Sequence, residues 1–129
     1  MYFTTNIAEA ASDAEVLWVA FDTPVDDEDQ ADVEYVIKQI KGVLPVLADD
    51  AVILVSSQMP VGSIRKLEAF VREKLPNKSF SLACSPENLR LGKALDVFLK
   101  PDRIVVGVRT EVTRTKLEKV LLPLTDRIE

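Results

Sequence analysis

The sequence lacks histidine altogether and has one cysteine and four glycines in 129 residues. Without histidine, neither the common zinc ligand sets nor the Ser-His and Cys-His nucleophile pairs can be assembled. The single cysteine, Cys84, rules out an internal disulfide. The acidic run at residues 26–29 would need further converging oxygens to hold a cation, and adjacent charges usually point into water. We therefore expect no metal site.

Long apolar runs are also missing. None approaches the roughly 20 residues that cross a bilayer, and the N-terminus has no basic cluster followed by an apolar segment. The net charge is −5, whereas nucleic-acid binders usually carry a basic patch that displaces counterions from phosphates. We expect a cytoplasmic protein, without a membrane span or a nucleic-acid partner, that forms one domain over residues 1–129.

The four glycines, at positions 42, 62, 92 and 107, are too far apart to form a Gly-x-Gly-x-x-Gly turn. That turn lets a helix N-terminus approach the pyrophosphate of a dinucleotide. The sequence therefore contains no such pyrophosphate-binding turn.

Short apolar runs alternate with segments whose apolar residues recur at helical spacing. The strand-like runs are residues 16–21, 51–55, 80–84 and 104–108, and the helical segments are residues 7–14, 31–47, 62–75, 88–98 and 112–122. Continuous apolar runs suit strands covered on both faces, and neighbouring parallel strands need long crossover connections. The pattern predicts an α/β fold of three αβα layers around a mostly parallel sheet.

Polar loops follow the first three strand-like runs. They are Asp22-Thr23-Pro24, Ser56-Ser57-Gln58-Met59-Pro60-Val61-Gly62-Ser63, and Ser85-Pro86-Glu87 with the residues up to position 94. In open α/β sheets, ligands bind beyond the carboxyl ends of the strands. The sequence therefore predicts a ligand site where these three loops meet.

These loops and the later segment Pro101-Asp102-Arg103-Ile104-Val105-Val106-Gly107 resemble, in order, the motifs of the UDP-glucose/GDP-mannose dehydrogenase family. The resemblance covers residues 3–107, and four ordered motifs are more specific than one. It implies an incomplete Rossmann-like domain. The chain would be a fragment of the family's N-terminal NAD-binding domain, its second half, with the Gly-rich first half and the substrate domain absent.

By this resemblance, the parent enzyme oxidises the primary alcohol of a UDP- or GDP-sugar to the uronic acid in two NAD-dependent hydride transfers. NAD is the implied cofactor and a nucleotide-sugar the implied substrate, while self-association as a homo-oligomer stays open. The fragment alone is expected to be inactive, because the glycine turn and the family's nucleophilic cysteine motif have no counterpart here. We interpret Cys84, at the end of an apolar run, as a small buried hydrophobic residue.

The resemblance implies that Thr23, Pro24, Ser57 and Glu87 contact NAD, and that Ser57 and Glu87 are catalytic. Ser57 stands where the family has a threonine, so the hydroxyl is kept and the methyl group that restricts χ1 is lost. Thr23-Pro24 also suits an ordinary turn, and Gly62-Ser63 also suits a helix cap.

Leu89 and Arg90 are the implied substrate-binding residues, with Lys93 and Lys100 as further basic residues nearby. At position 91 the chain departs from the family, which commonly has a glutamate assigned to acid–base work. Leu91 cannot transfer a proton, and we do not place it in the site.

Two other interpretations stay open. A phosphoacceptor receiver domain would use Asp22, Ser56 and Lys100-Pro101, but it also needs an acidic pair after its first strand, and none precedes Asp22. The other is a protein-interaction domain that uses an exposed sheet edge or apolar face.

Overall fold

A computed structural model of the chain describes residues 2–28, 30–87, 89 and 92–129. Its elements in chain order are α1 (Ile7–Ala11), β1 (Val16–Val19), α2 (Val33–Val43), a 3-10 turn (Leu44–Val46), β2 (Val52–Val55), α3 (Ser63–Lys74), β3 (Ser81–Cys84), α4 (Ala94–Leu99) and α5 (Glu111–Leu121). None of these helices is long and apolar enough to cross a membrane.

The three strands form a parallel sheet in the order β1-β2-β3. Val16 pairs with Val52 and Val19 with Val55 across β1 and β2, and Val52–Val55 pairs in turn with Ser81–Cys84. Every residue of β2 is buried, because the central strand has a strand on each side and helices over both faces. This burial explains why the apolar run is continuous rather than alternating.

The two faces of β2 belong to two separate core clusters. Ile53 and Val55 pack in the cluster that contains the buried residues of α2 and α3. Val52 and Leu54 pack in the other, with Leu117 of α5. Since successive residues of a strand point to opposite faces, this division confirms the three-layer αβα architecture.

Side chains cap three of the helices. Asn6 caps α1 by accepting a hydrogen bond from the Glu9 backbone N–H. Asp32 caps α2 through the Tyr35 N–H, and Thr110 caps α5 through the Thr113 N–H. Each cap satisfies one of the backbone donors that a helix N-terminus leaves unpaired.

The prediction of a fourth strand at residues 104–108 is wrong. Gly107 exchanges two backbone hydrogen bonds with Cys84, while Ile104 and Val106 bond to the C-terminal residues Arg127 and Glu129. The segment divides its hydrogen bonds between two partners, and neither contact is long enough to make a ladder. The segment forms isolated bridges, one to Cys84 of β3 and one to Ile128.

Element ends also differ from the predicted ones. The predicted helix at residues 7–14 ends at Ala11, and the strand at residues 16–21 ends at Val19. The helix predicted over residues 88–98 is present as Ala94–Leu99, while Asn88, Arg90 and Leu91 lie outside the described residues.

A two-point ion pair ties α3 to the segment before α5. Arg109 donates from Nε to Glu68 Oε1 at 2.9 Å and from an Nη atom to Oε2 at 3.1 Å. These hydrogen bonds hold the pKa of the Glu68 carboxyl below its ordinary value, against the opposing effect of partial burial. A carboxyl with a lowered folded-state pKa stabilises the fold above its unfolded-state pKa, and loses that contribution as the pH falls through the folded value.

Glu68→Gln is therefore expected to lower the unfolding midpoint at neutral pH and to have little effect at a pH below the folded-state pKa of Glu68. Thermal unfolding across acidic and neutral pH measures the difference between the variant and the parent. In an Arg109→Gln background the same substitution should cost nothing further. An equal loss at every pH would contradict an electrostatic origin.

The close approach of the Gly107 backbone to the Cys84 side chain explains why a glycine occupies this position. A Cβ atom added at Gly107 would lie 2.8 Å from the Cys84 Sγ atom, closer than packed atoms tolerate. Gly42, in α2, has no atom within 4 Å of an added Cβ, so it has no such requirement.

Gly107→Ala is expected to destabilise the fold by about 1–3 kcal/mol through overpacking, measured by urea unfolding. Combining it with Cys84→Ala removes the sulfur and should recover most of the loss. Gly42→Ala is the matched control, and should stabilise the helix by about 0.5–1 kcal/mol. A neutral Gly107→Ala would show that this contact is not tight.

Candidate functional site

The three loops predicted to form a site lie side by side at the carboxyl edge of the sheet. The parallel register brings Val19, Val55 and Cys84 level with one another. Backbone bonds then continue beyond the strands, from the Ser56 N–H to the Val19 carbonyl and from the Ser85 N–H to the Val55 carbonyl. Each loop therefore begins from a fixed position next to its neighbour.

Two hydroxyl groups join the first loop to the second. Thr23 donates from Oγ1 to the Gln58 carbonyl oxygen at 2.7 Å. Ser57 donates from Oγ to the Phe21 carbonyl oxygen at 2.6 Å. We refer to this reciprocal pair as the hydroxyl clasp. Because both hydroxyl protons are used, each oxygen faces a ligand only as an acceptor of a donated N–H or O–H.

The third loop is joined to the second through Gln58. Its side-chain Nε2 donates to the Glu87 carbonyl oxygen at 3.0 Å. The predicted site residues Thr23, Ser57 and Glu87 are thus brought into one hydrogen-bonded set. All three are half-buried, so their polar groups are accessible while their backbone is held.

Ser56, which begins the second loop, has a structural role. It is buried and accepts a hydrogen bond from the indole Nε1 of Trp18 at 2.8 Å. The Trp18 ring also packs against Phe98 of α4, with 6.0 Å between ring centroids. Because the Ser56 hydroxyl is buried and hydrogen-bonded to Trp18, it is not exposed, as the hydroxyl of a receiver domain would need to be.

Pro24 begins the excursion of the chain between β1 and α2. Its carbonyl accepts a hydrogen bond from the Asp32 N–H at 2.7 Å, next to a bridge between Val25 and Ala31. Residues of this excursion line a shallow, open pocket of about 350 Å³. Close to the clasp, the rings of Phe21 and Tyr35 meet edge to face with their centroids 6.2 Å apart.

The first residue of the acidic run after Pro24 hydrogen-bonds within its own loop. One Asp26 carboxylate oxygen accepts hydrogen bonds from the backbone N–H groups of Glu28 and Gln30, each at 2.9 Å. Within the described residues, no group of three or more His, Cys, Asp or Glu side chains could hold a metal ion.

At the start of α3, Gly62 rather than Ser63 is the capping residue. Gly62 has φ +96°, in the left-handed region that L side chains rarely adopt. Ser63 is the first helical residue, and its hydroxyl donates to the Pro60 carbonyl at 2.8 Å. The suggested cap role therefore falls on Gly62 alone.

Apart from Cys84, the remaining predicted residues follow Glu87 in the sequence. Leu89 is exposed, with 38% of its surface accessible, while Arg90 and Leu91 lie outside the described residues. Lys93 and Lys100 are exposed. Cys84 is half-buried, with its backbone paired to Gly107.

Sequence reasoning missed the residues that connect the loops. Gln58, Phe21 and Trp18 were not assigned roles, although they supply the amide, the carbonyl and the indole that join the strand ends. The one available signal was a polar Gln58 between Ser57 and Met59, in a loop expected to lie at the ligand edge.

Removing one hydroxyl of the clasp should cost about 0.5–1.5 kcal/mol of stability, the net value of one hydrogen bond. The matched variants are Thr23→Val and Ser57→Ala, with Thr5→Val as a control at an exposed threonine. Urea unfolding followed by the fluorescence of Trp18, the single tryptophan, gives the values. Variants as stable as the control would contradict the clasp.

Comparison with known proteins identifies the family. A profile of the UDP-glucose/GDP-mannose dehydrogenase family, NAD binding domain, matches residues 1–125. The chain is 34% identical to the UDP-glucose 6-dehydrogenase of Rickettsia bellii over 124 residues, covering 96% of this chain and 28% of that protein.

Solved structures agree with the profile. The chain is similar to a UDP-glucose dehydrogenase from Pyrobaculum islandicum, at 31% identity and a TM-score of 0.82, over 98% of this chain and 30% of that one. A GDP-mannose dehydrogenase from Pseudomonas aeruginosa shares the fold, at 20% identity and a TM-score of 0.80, over 97% of this chain and 30% of that one. The chain thus spans less than a third of the length of these relatives. It belongs to the UDP-glucose/GDP-mannose dehydrogenase family, and it corresponds to the NAD-binding domain of that family.

Proposed function

We propose that the chain forms part of an enzyme that oxidises the primary alcohol of a UDP- or GDP-sugar to the uronic acid with NAD as the oxidant. The observation that carries the proposal is the hydrogen-bonded set of Thr23, Ser57, Gln58 and Glu87 at the carboxyl edge of a parallel sheet. Such edges are where open α/β sheets bind their ligands.

The residues present fit NAD in their chemistry. The clasped oxygens of Thr23 and Ser57 offer acceptors for a ligand amide or a water molecule, because their own protons are already donated. NAD supplies the hydride acceptor for the oxidation. The Glu87 carboxylate, half-buried at the same edge, is the group able to accept a proton or to orient a water molecule there.

The open edge of the sheet supports the proposal that the chain supplies the second half of its domain. In the strand order 3-2-1-4-5-6 of dinucleotide-binding folds, our β1, β2 and β3 take the places of strands 4, 5 and 6. Among the described residues, β1 pairs with β2 alone, so its outer edge is where the strand before the Gly-rich turn belongs. Val16, Leu17 and Trp18 are accordingly only half-buried.

In this arrangement Leu89 and Arg90 contact the nucleotide-sugar. A guanidinium group suits a diphosphate because it can donate two parallel hydrogen bonds. Leu91 supplies no proton transfer, so acid–base work falls to Glu87 and to groups outside the chain. The isolated chain would be inactive, because it contains neither the Gly-rich turn nor the cysteine motif of the family.

A domain exchange tests the proposal. Residues 1–125 replace the matching segment of the Pyrobaculum islandicum enzyme, and NADH formation is followed with UDP-glucose and with GDP-mannose. We expect turnover with one of them, and a loss of at least about 100-fold for Glu87→Gln, as for a group acting in general acid–base catalysis. Glu34→Gln, at an exposed position in α2, is the control. A folded chimera that is inactive with both sugars would contradict the proposal.

A further inference from the structure

Gln58 is held at two points between the other two loops. Its backbone carbonyl accepts the Thr23 hydroxyl at 2.7 Å, and its side-chain amide donates to the Glu87 carbonyl at 3.0 Å. We infer that Gln58 is a positioning residue that sets where Glu87 lies relative to Thr23 and Ser57. This inference rests on the proposed function only for the role of Glu87, and not for the contact itself.

The Gln58–Glu87 hydrogen bond, which we call the brace, lies where the backbone ladder between β3 and β2 ends. The last ladder bond on this side of the sheet runs from the Ser85 N–H to the Val55 carbonyl at 3.0 Å. Alternate N–H groups of a strand face the same neighbour, so the next donor toward β2 would be the Glu87 N–H, and within the described residues that N–H makes no backbone hydrogen bond. The Gln58 amide donates to the carbonyl of that same residue, and so joins the third loop to the loop that follows β2.

Beyond Glu87, α4 makes an aromatic contact with β1. After Glu87, the described residues Leu89, Gly92 and Lys93 are all exposed. Phe98 of α4, although partly exposed, packs against the ring of Trp18 in β1. Among the described residues, the Gln58 bond is one that Glu87 itself makes to a neighbouring loop.

The brace matters because it holds the backbone of the residue that carries the carboxylate. Fixing the Glu87 carbonyl restricts the peptide plane that follows it, and with it the direction of the side chain. Displacing a reacting group by 1 Å can cost about 100-fold in rate. A small change at Gln58 would therefore affect chemistry without unfolding the domain.

Two substitutions separate the amide from its surroundings. Gln58→Glu keeps the shape but has no donor when ionised, and Gln58→Met keeps the length without a polar group. Both leave the backbone carbonyl that holds Thr23. Gln39→Glu, at an exposed position on α2, is the matched control for the added charge.

Hydrogen exchange of the 129-residue chain tests the inference directly. In both Gln58 variants, amides in residues 85–93 should exchange about fivefold faster, as expected for the loss of one hydrogen bond that closes a local opening. Peptides from α2, α3 and the sheet, and the control variant, should match the parent. The Glu87 carbonyl carbon should also shift in the NMR spectrum, while the Val55 carbonyl carbon should not.

Two results would overturn the inference. One is unchanged exchange in residues 85–93 together with an unshifted Glu87 carbonyl, which would mean that the contact does not hold the loop. The other is faster exchange throughout the chain, which would mean a general loss of stability. Neither readout involves NAD or a sugar, so the two proposals can fail separately. An inactive chimera would contradict the proposed function, while a localised exchange effect in the Gln58 variants would still support the role of Gln58.

Discussion

The parallel pairing of β2 with both of its neighbours is the constraint on which the rest of the structure depends. Because Val52–Val55 is buried on both faces and hydrogen-bonded on both edges, a shift of one residue would exchange the two core clusters. The same register brings three strand ends to one level. The packing of the core therefore determines the position of the site, because the strand register places the three loops next to one another.

At that edge, main-chain carbonyl groups accept the hydrogen bonds that hold the loops of the site together. The hydroxyls of Thr23 and Ser57 and the amide of Gln58 all donate to main-chain carbonyls of neighbouring loops. These bonds use the donors and leave the oxygens of Thr23 and Ser57 as acceptors. The arrangement separates two tasks, since the loops are held by groups that still present a polar face to a ligand.

The sequence predicted the layers, the parallel sheet and the loops of the site, because periodicity and burial repeat over many residues. It did not predict the end of the sheet. Residues 104–108 look like a strand in composition, yet their bonds go partly to Arg127 and Glu129, and local pattern contains no information on such distant partners. The Gln58 hydrogen bond was not predicted for the same reason, since its acceptor lies 29 positions away in the sequence. Thr23, Ser57 and Glu87 were found because family motifs mark them, whereas their roles toward NAD stay predictions.

The central claim is that NAD lies against this edge of the sheet, and mapping its contact by NMR tests that claim most directly. Titrating the chimera, with residues 1–125 isotopically labelled, with NAD should shift resonances of residues 20–24, 56–59 and 85–87. The contrary result would be shifts confined to an open pocket of about 470 Å³ that is lined by Arg72 of α3, Lys78 and Arg109. Binding there would mean that the hydroxyl clasp and Glu87 do not form the cofactor site.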